Sequence, residues 1–262
     1  ATYYDWPGTT AVNAVGLTCD SLVLAGFTSY ADLPTTPGVV QTSKAPFNDG
    51  FLHAFDLSSG EVAYATYLGA GADDIIRDLH VSPSGVVTVV GTTRAPDFPT
   101  TPGAFQSAVL NSLELSLFVA RLEPRARRLV YSTIVGGSDE DAFPGASLAV
   151  GVSSAVVVGT STRSVDFPVT PGAYDPDYDD NADAAVIVLP LLPEGVERFG
   201  TSSGAGPTIG AIGRPAVGSG RFGLTCDDAP PGTVGALLVG TAGLLEPLGL
   251  VGAPLWLQPS GL

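Results

Sequence analysis

Acidic side chains offer the most conspicuous chemistry in this chain, and they fall in three places. Asp175, Asp177 and Asp179 stand at i, i+2 and i+4 within Asp175-Pro-Asp-Tyr-Asp-Asp-Asn-Ala-Asp183. A loop with that spacing can wrap a hard cation in oxygen ligands, so calcium is the metal expected if one binds there. It is not an EF-hand, because Asp180 replaces the glycine at position six and Val186 the glutamate at position twelve. A solvated acidic loop is the other reading. Asp73-Asp74 and Asp139-Glu140-Asp141 recur at equivalent turns, where carboxylates cap strands by accepting backbone N–H bonds. Paired carboxylates also run glycoside hydrolysis, although nothing in the spacing sets their separation. His53 and His80 are the only histidines, and each sits inside an apolar β-type run as a sheet residue. No Gly-x-Ser-x-Gly elbow surrounds a serine nucleophile. Tyr3, Tyr4, Trp6, Tyr174 and Tyr178 could form a sugar-stacking or protein-contact surface.

Composition bounds what can position these groups. Of 262 residues, 33 are glycine and 22 proline, only 14% are charged, and the net charge is −15. Frequent turn residues alternating with apolar runs predict many short strands rather than helices or disorder. Ten Arg and one Lys (Lys44) against 26 acidic residues exclude a phosphate-backbone binder, so no nucleic-acid partner is expected. No apolar run reaches the length of a membrane-spanning helix. The chain opens Ala1-Thr2-Tyr3-Tyr4 with no initiator Met, which fits a mature secreted form.

Self-similarity organises the rest. Leu33-Pro-Thr-Thr-Pro-Gly38, Phe98-Pro-Thr-Thr-Pro-Gly103 and Phe167-Pro-Val-Thr-Pro-Gly172 recur at separations of 65 and 69. A β-rich run precedes each (21–26, 86–91, 155–159), and a further run follows (51–56, 117–122, 185–189). Val62-Ala-Tyr-Ala-Thr-Tyr-Leu-Gly69 then matches Leu129-Val-Tyr-Ser-Thr-Ile-Val-Gly136, and Ala1-Thr2-Tyr3-Tyr4 repeats Ala65-Thr66-Tyr67-Leu68. Each unit therefore carries four short strands. The Pro-x-Thr-Pro-Gly segment, with two prolines that cannot donate to a ladder, is a connecting loop and a structural staple.

The segments Gly91–Gln106, Leu117–Pro124 and Leu129–Ser138 resemble the SBBP-type β-propeller repeat of secreted bacterial and archaeal proteins. The resemblance covers residues 1 to about 200. It implies a propeller fold and an extracellular or cell-surface setting, and it implies no enzymatic activity, since the repeat's motif residues are structural.

The expected fold is all-β: a single four-bladed β-propeller with repeats 1–64, 65–131, 132–199 and 200–262, closed by the N-terminal strand in the last blade. The alternative is propeller repeats over 1–203 with a separate small β-domain at 204–262. Closure sets the first and fourth blades side by side. Cys19 and Cys226, in the matching contexts Gly16-Leu-Thr-Cys-Asp20 and Gly223-Leu-Thr-Cys-Asp227, then take equivalent inner positions and form a disulfide, or remain as buried thiols. The expected function is a non-enzymatic structural protein that self-associates, as a homo-oligomer or a subunit of an extracellular filament or surface layer. A glycan- or protein-binding adhesion module is the first alternative, and a polysaccharide lyase or glycosidase the second.

Overall fold

The computed structural model describes residues 8–142, 145–151, 155–179 and 181–191, together with the backbone of four strands between 208 and 251. The chain is all-β and divides into two compact units, Ala1–Pro190 and Leu191–Leu262.

The first unit holds three antiparallel sheets. Strands β1 (Thr10–Leu17), β2 (Ser21–Thr28), β3 (Asp49–Asp56) and β4 (Val62–Leu68) pair in chain order as the first sheet. The second repeats this order with β5 (Asp74–Val81), β6 (Val87–Thr93), β7 (Ser116–Leu122) and β8 (Leu129–Val135). The third contains β9 (Ser147–Val150), β10 (Ala155–Thr162) and β11 (Asp183–Pro190), with β11 at its edge. Registers coincide: Thr28 faces Asp49, Thr93 faces Ser116, and Thr162 faces Asp183. The four-strand repeat expected from the sequence is thus present twice in full, with each hydrogen-bonded sheet ending at Leu68 or Val135, a few residues beyond the repeat limits at 64 and 131.

The sheets stack in chain order, β5 lying against β1, β2 and β3, and β9 against β5 and β6. Apolar residues from both sides fill the first interface, among them Val23, Leu52, Leu68, Ile76, Val89 and Phe118. Phe98 stacks on Phe118 with ring centroids 4.4 Å apart. The inner strands β6 and β7 are buried at every position because both of their faces are covered.

In the second unit, β12 (Thr208–Ile212) pairs with β13 (Gly223–Asp227), and β14 (Val234–Thr241) with β15 (Leu244–Val251). These are two separate two-stranded ladders rather than one four-stranded meander. Residues 1–5, assigned to ring closure on sequence grounds, lie outside the described residues.

Candidate functional site

The Pro-x-Thr-Pro-Gly loop joins the second strand of each sheet to the third. Its Pro-Gly pair makes a tight turn with φ of 78°, 83° and 81° at Gly38, Gly103 and Gly172, a conformation that disfavours any side chain. The turn is closed by the Ala104 N–H on the Thr101 carbonyl at 3.0 Å and by the Ala173 N–H on the Thr170 carbonyl at 3.1 Å. What the loop does is hold the fourth strand from outside. Thr36 donates its N–H to the Ala65 carbonyl at 3.0 Å, and its Oγ1 accepts the Ala65 N–H at 3.3 Å. Gln41 donates its N–H to Thr66 Oγ1 at 3.1 Å, its carbonyl accepts the Tyr67 N–H at 3.1 Å, and its Oε1 accepts the Gly69 N–H at 3.0 Å. Thr101 and Gln106 make the same set with Ser132, Thr133, Ile134 and Gly136. The expected staple is therefore a strand clamp. The residue that sequence reading missed is the glutamine three positions after the glycine; its recurrence at 41 and 106 was the available signal.

The repeated acids sit where one sheet hands the chain to the next, and they hold backbone as expected. Asp74 Oδ2 accepts the Ala70 N–H at 2.6 Å, and Asp141 Oδ2 accepts the Gly137 N–H at 2.8 Å. Asp73 Oδ1 takes Asn48 Nδ2 at 2.8 Å, and Asp166 Oδ1 takes the Ser138 N–H at 2.8 Å. Asp49, not singled out by the sequence, faces the same glycine as Asp74: a Cβ on Gly69 would lie 2.8 Å from Asp49 Cγ and 2.8 Å from Asp74 Oδ2. Both carboxyls are fully buried, and one oxygen of each, Asp49 Oδ1 and Asp74 Oδ1, has no hydrogen-bond partner. Burial pushes Asp74 up to about 7, with the nearby Asp49 charge adding to it, and burial raises Asp49 as well. At the next junction Ser116 replaces Asp49, and Asp141 is raised by burial but held down in part by the Thr162 hydroxyl, 2.5 Å from its Oδ1. Two adjacent carboxyls that are both raised by burial resemble an acid–base pair in chemistry, yet both are closed off from solvent, so no polysaccharide reaches them in this conformation.

The remaining candidates scatter. Asp175, Asp177 and Asp179 lie in the exposed loop before β11, where Asp175 Oδ1 accepts the Asp177 N–H at 3.3 Å and the Asp179 N–H goes to Asp183 Oδ2 at 2.8 Å. Among the described residues no group of three or more His, Cys, Asp or Glu side chains is placed to hold a metal. His53 is buried in β3, stacked on Phe55 at 4.4 Å, and burial lowers its pKa to about 4, so it is neutral at physiological pH. His80 lies half-buried on β5. Tyr174 is fully exposed and Tyr178 half-buried; Tyr3, Tyr4 and Trp6 fall outside the described residues.

Cys19 occupies an exposed turn between β1 and β2 instead of an inner strand position, because Thr18 Oγ1 bonds Asp20 Oδ1 at 2.6 Å and closes the chain there. Cys226 belongs to β13, opposite Ile209, and its side chain is outside the described residues. The same five-residue context thus ends a strand and turns at Cys19 in one unit, and is strand throughout in the other. Among the described residues no helix is long and apolar enough to cross a membrane. No protein-family model matches the chain, and no curated protein matches it.

Proposed function

We propose that this protein is a non-enzymatic, extracellular structural component whose repeats are β-propeller blades and which self-associates by stacking the sheet at one end of one copy on the sheet at the other end of the next. One observation carries the reading. Leu52 on β3 and Val119 on β7 occupy the same register position, and both are fully buried. Their counterpart in the third sheet, Val186, is 75% exposed, and Val188 two residues on is 59% exposed. At the opposite end Val15 and Leu17 of β1 are exposed as well. A blade exposes apolar surface that a neighbouring blade buries, and among the described residues the outer faces of the first and third sheets carry such surface. Contact between unlike ends is heterologous, giving a ring where the rotation closes and a fibre where it does not. The single Lys and the resemblance to secreted propeller repeats support the extracellular setting.

Light scattering coupled to size exclusion, with negative-stain microscopy at high protein concentration, tests this. Oligomers or filaments are expected, and a Val186→Asp, Val188→Asp chain should remain monomeric. A native chain that is monomeric at every concentration overturns the reading.

A further inference from the structure

We propose that Asp49 and Asp74 are the carboxylate ligands of a site for a divalent hard cation, calcium in preference to magnesium, at the junction between the first and second sheets. The site does not depend on the self-association reading and adds a ligand to it.

Two carboxyls meet at this junction because two strands begin there. Asp49 is the first residue of β3 and Asp74 the first of β5. The Asp74 N–H donates to the Asn48 carbonyl at 2.8 Å, which ties the start of the second sheet to the residue before Asp49. Both carboxyls flank Gly69, just beyond β4. The point where a Cβ would stand on Gly69 is 3.0 Å from Asp49 Oδ1 and 2.8 Å from Asp74 Oδ2. Only glycine allows that approach, since a methyl group there would press on both carboxyls.

Each carboxyl is anchored through one oxygen and presents the other. Asp49 Oδ2 accepts Gln41 Nε2 at 2.8 Å and the Ala45 N–H at 3.0 Å, while Asp74 Oδ2 accepts the Ala70 N–H at 2.6 Å. Asp49 Oδ1 and Asp74 Oδ1 accept a hydrogen bond from no described residue, although both side chains are fully buried. A buried anionic oxygen with no donor is costly, and a cation removes the cost. Hydrogen bonds to one oxygen that leave the second free are how a protein orients carboxylate ligands toward a metal.

The second junction shows the same backbone closure with a single acid. Ser116 stands there in place of Asp49, and Asp141 is saturated: its Oδ2 takes the Gly137 N–H at 2.8 Å and its Oδ1 the Thr162 hydroxyl at 2.5 Å. One carboxyl is therefore enough to hold the turn, as Asp74 does at the first junction. Asp49 brings a second carboxylate that the closure does not require, and with it two oxygens that need a positive partner.

Charge and ligand type select the ion. Two carboxylates balance a divalent charge. The Asp49 and Asp97 charges both act on Asp74, and Lys44, whose ammonium is held by the Ala45 and Phe47 carbonyls, offsets Asp49 in part. The neutral groups at hand are oxygens as well: the Thr93 hydroxyl against Asp74, and Gln41 Oε1, which takes the Gly69 N–H at 3.0 Å. An all-oxygen set suits a hard cation. Magnesium keeps several of its waters, which a junction closed to solvent does not admit, whereas calcium accepts irregular sets of carboxylate and neutral oxygens. Without metal, protons neutralise the pair instead, and burial raises both acids accordingly.

The test strips the full chain with EDTA, removes the chelator, and titrates calcium chloride by calorimetry, with thermal midpoints read in calcium and in EDTA. The native chain should bind calcium, and its midpoint should rise with calcium and fall back with EDTA. Asp49→Ser copies the residue that the second junction already uses, and Asp49→Asn keeps the side-chain shape; each should lose about 100-fold or more in calcium affinity. Asp175→Asn, Asp177→Asn, Asp179→Asn in one chain should bind as the native chain does. Calcium binding that survives both Asp49 substitutions overturns the site, and its loss on substituting the loop instead places the ion before β11. A native chain that binds no calcium and melts alike in calcium and in EDTA overturns it too, leaving a pair that shares a proton. Circular dichroism matched to the native chain separates loss of binding from loss of folding in each variant, and light scattering reads self-association independently of either result.

Discussion

Thr101 and Ser132, 31 residues apart, grip each other's backbone: the Thr101 N–H donates to the Ser132 carbonyl at 3.0 Å, and the Ser132 N–H donates to Thr101 Oγ1 at 2.9 Å. That pair joins the Pro-x-Thr-Pro-Gly loop to the outer strand of the second sheet, and Thr36 and Ala65 repeat it in the first. Thr101→Val keeps the side-chain shape and leaves the N–H of the buried Ser132 without an acceptor. A loss of about 1–2 kcal/mol in urea unfolding is expected. The same change at Thr170 should cost under about 0.5 kcal/mol in the monomer. Equal losses at both positions would sink the clamp as an account of the motif.

Tyr67 tests the loop from the strand side. Its buried hydroxyl bridges Leu33 and Tyr30, so Tyr67→Phe strands the Leu33 N–H and should lower stability by about 1–2 kcal/mol, read as a fall in the denaturation midpoint at unchanged slope. No change in midpoint would mean that water replaces the hydroxyl at no cost.

Asp74 makes stability depend on pH in a fixed direction. Its folded pKa, about 7, lies above the unfolded value near 3.8, so between these the native state holds more protons than the unfolded chain. Stability therefore falls as pH rises through that window, and Asp49 and Asp141, both raised by burial, add the same sign. Thermal unfolding should show the native chain losing roughly 2–4 kcal/mol from pH 5 to pH 8, with Asp74→Asn flattening much of the slope. Stability that rises over this range contradicts the buried-carboxyl assignment.

Gly91 and Gly159 end similar β-runs but should respond oppositely to alanine. The bulge in β5 between Ile76 and Asp78 presses backbone onto Gly91, where a Cβ would meet the Ile75 carbonyl and the Phe118 ring. A Cβ at Gly159 meets nothing within 4 Å. Gly91→Ala should cost about 1–3 kcal/mol or more, while Gly159→Ala should be neutral or stabilise by up to about 1 kcal/mol, both measured by calorimetry. Matching effects would show that the bulge yields.

Much of the architecture was legible because it is written locally and three times over. The proline pairs, the positive-φ glycines and the apolar runs each dictate loop or strand from their own covalent geometry, and their recurrence sets the period. The phase was not legible. Self-similarity is unchanged when the repeat is cut at any point, and only hydrogen bonding shows that Val62–Leu68 closes the first sheet. Nor was the Asp49–Asp74 pair, since Ser116 takes the place of Asp49 in the next repeat and breaks the pattern that would have exposed it.

The amino-acid sequence by itself therefore determined an all-β chain, its repeat length, the turns, and the recurrence of acids at sheet junctions, all consequences of backbone restriction and hydrophobic patterning acting over a few residues. Tertiary structure decided what each recurrence is for. A threonine and a glutamine became a clamp where an outer strand reaches them, and an aspartate near pKa 7 arose where packing buries its carboxyl, with the charge of a neighbouring buried aspartate adding to the effect. Val186 is exposed where Leu52 and Val119, at the same register position, are fully buried. Burial, unlike propensity, belongs to the neighbours a residue meets in space.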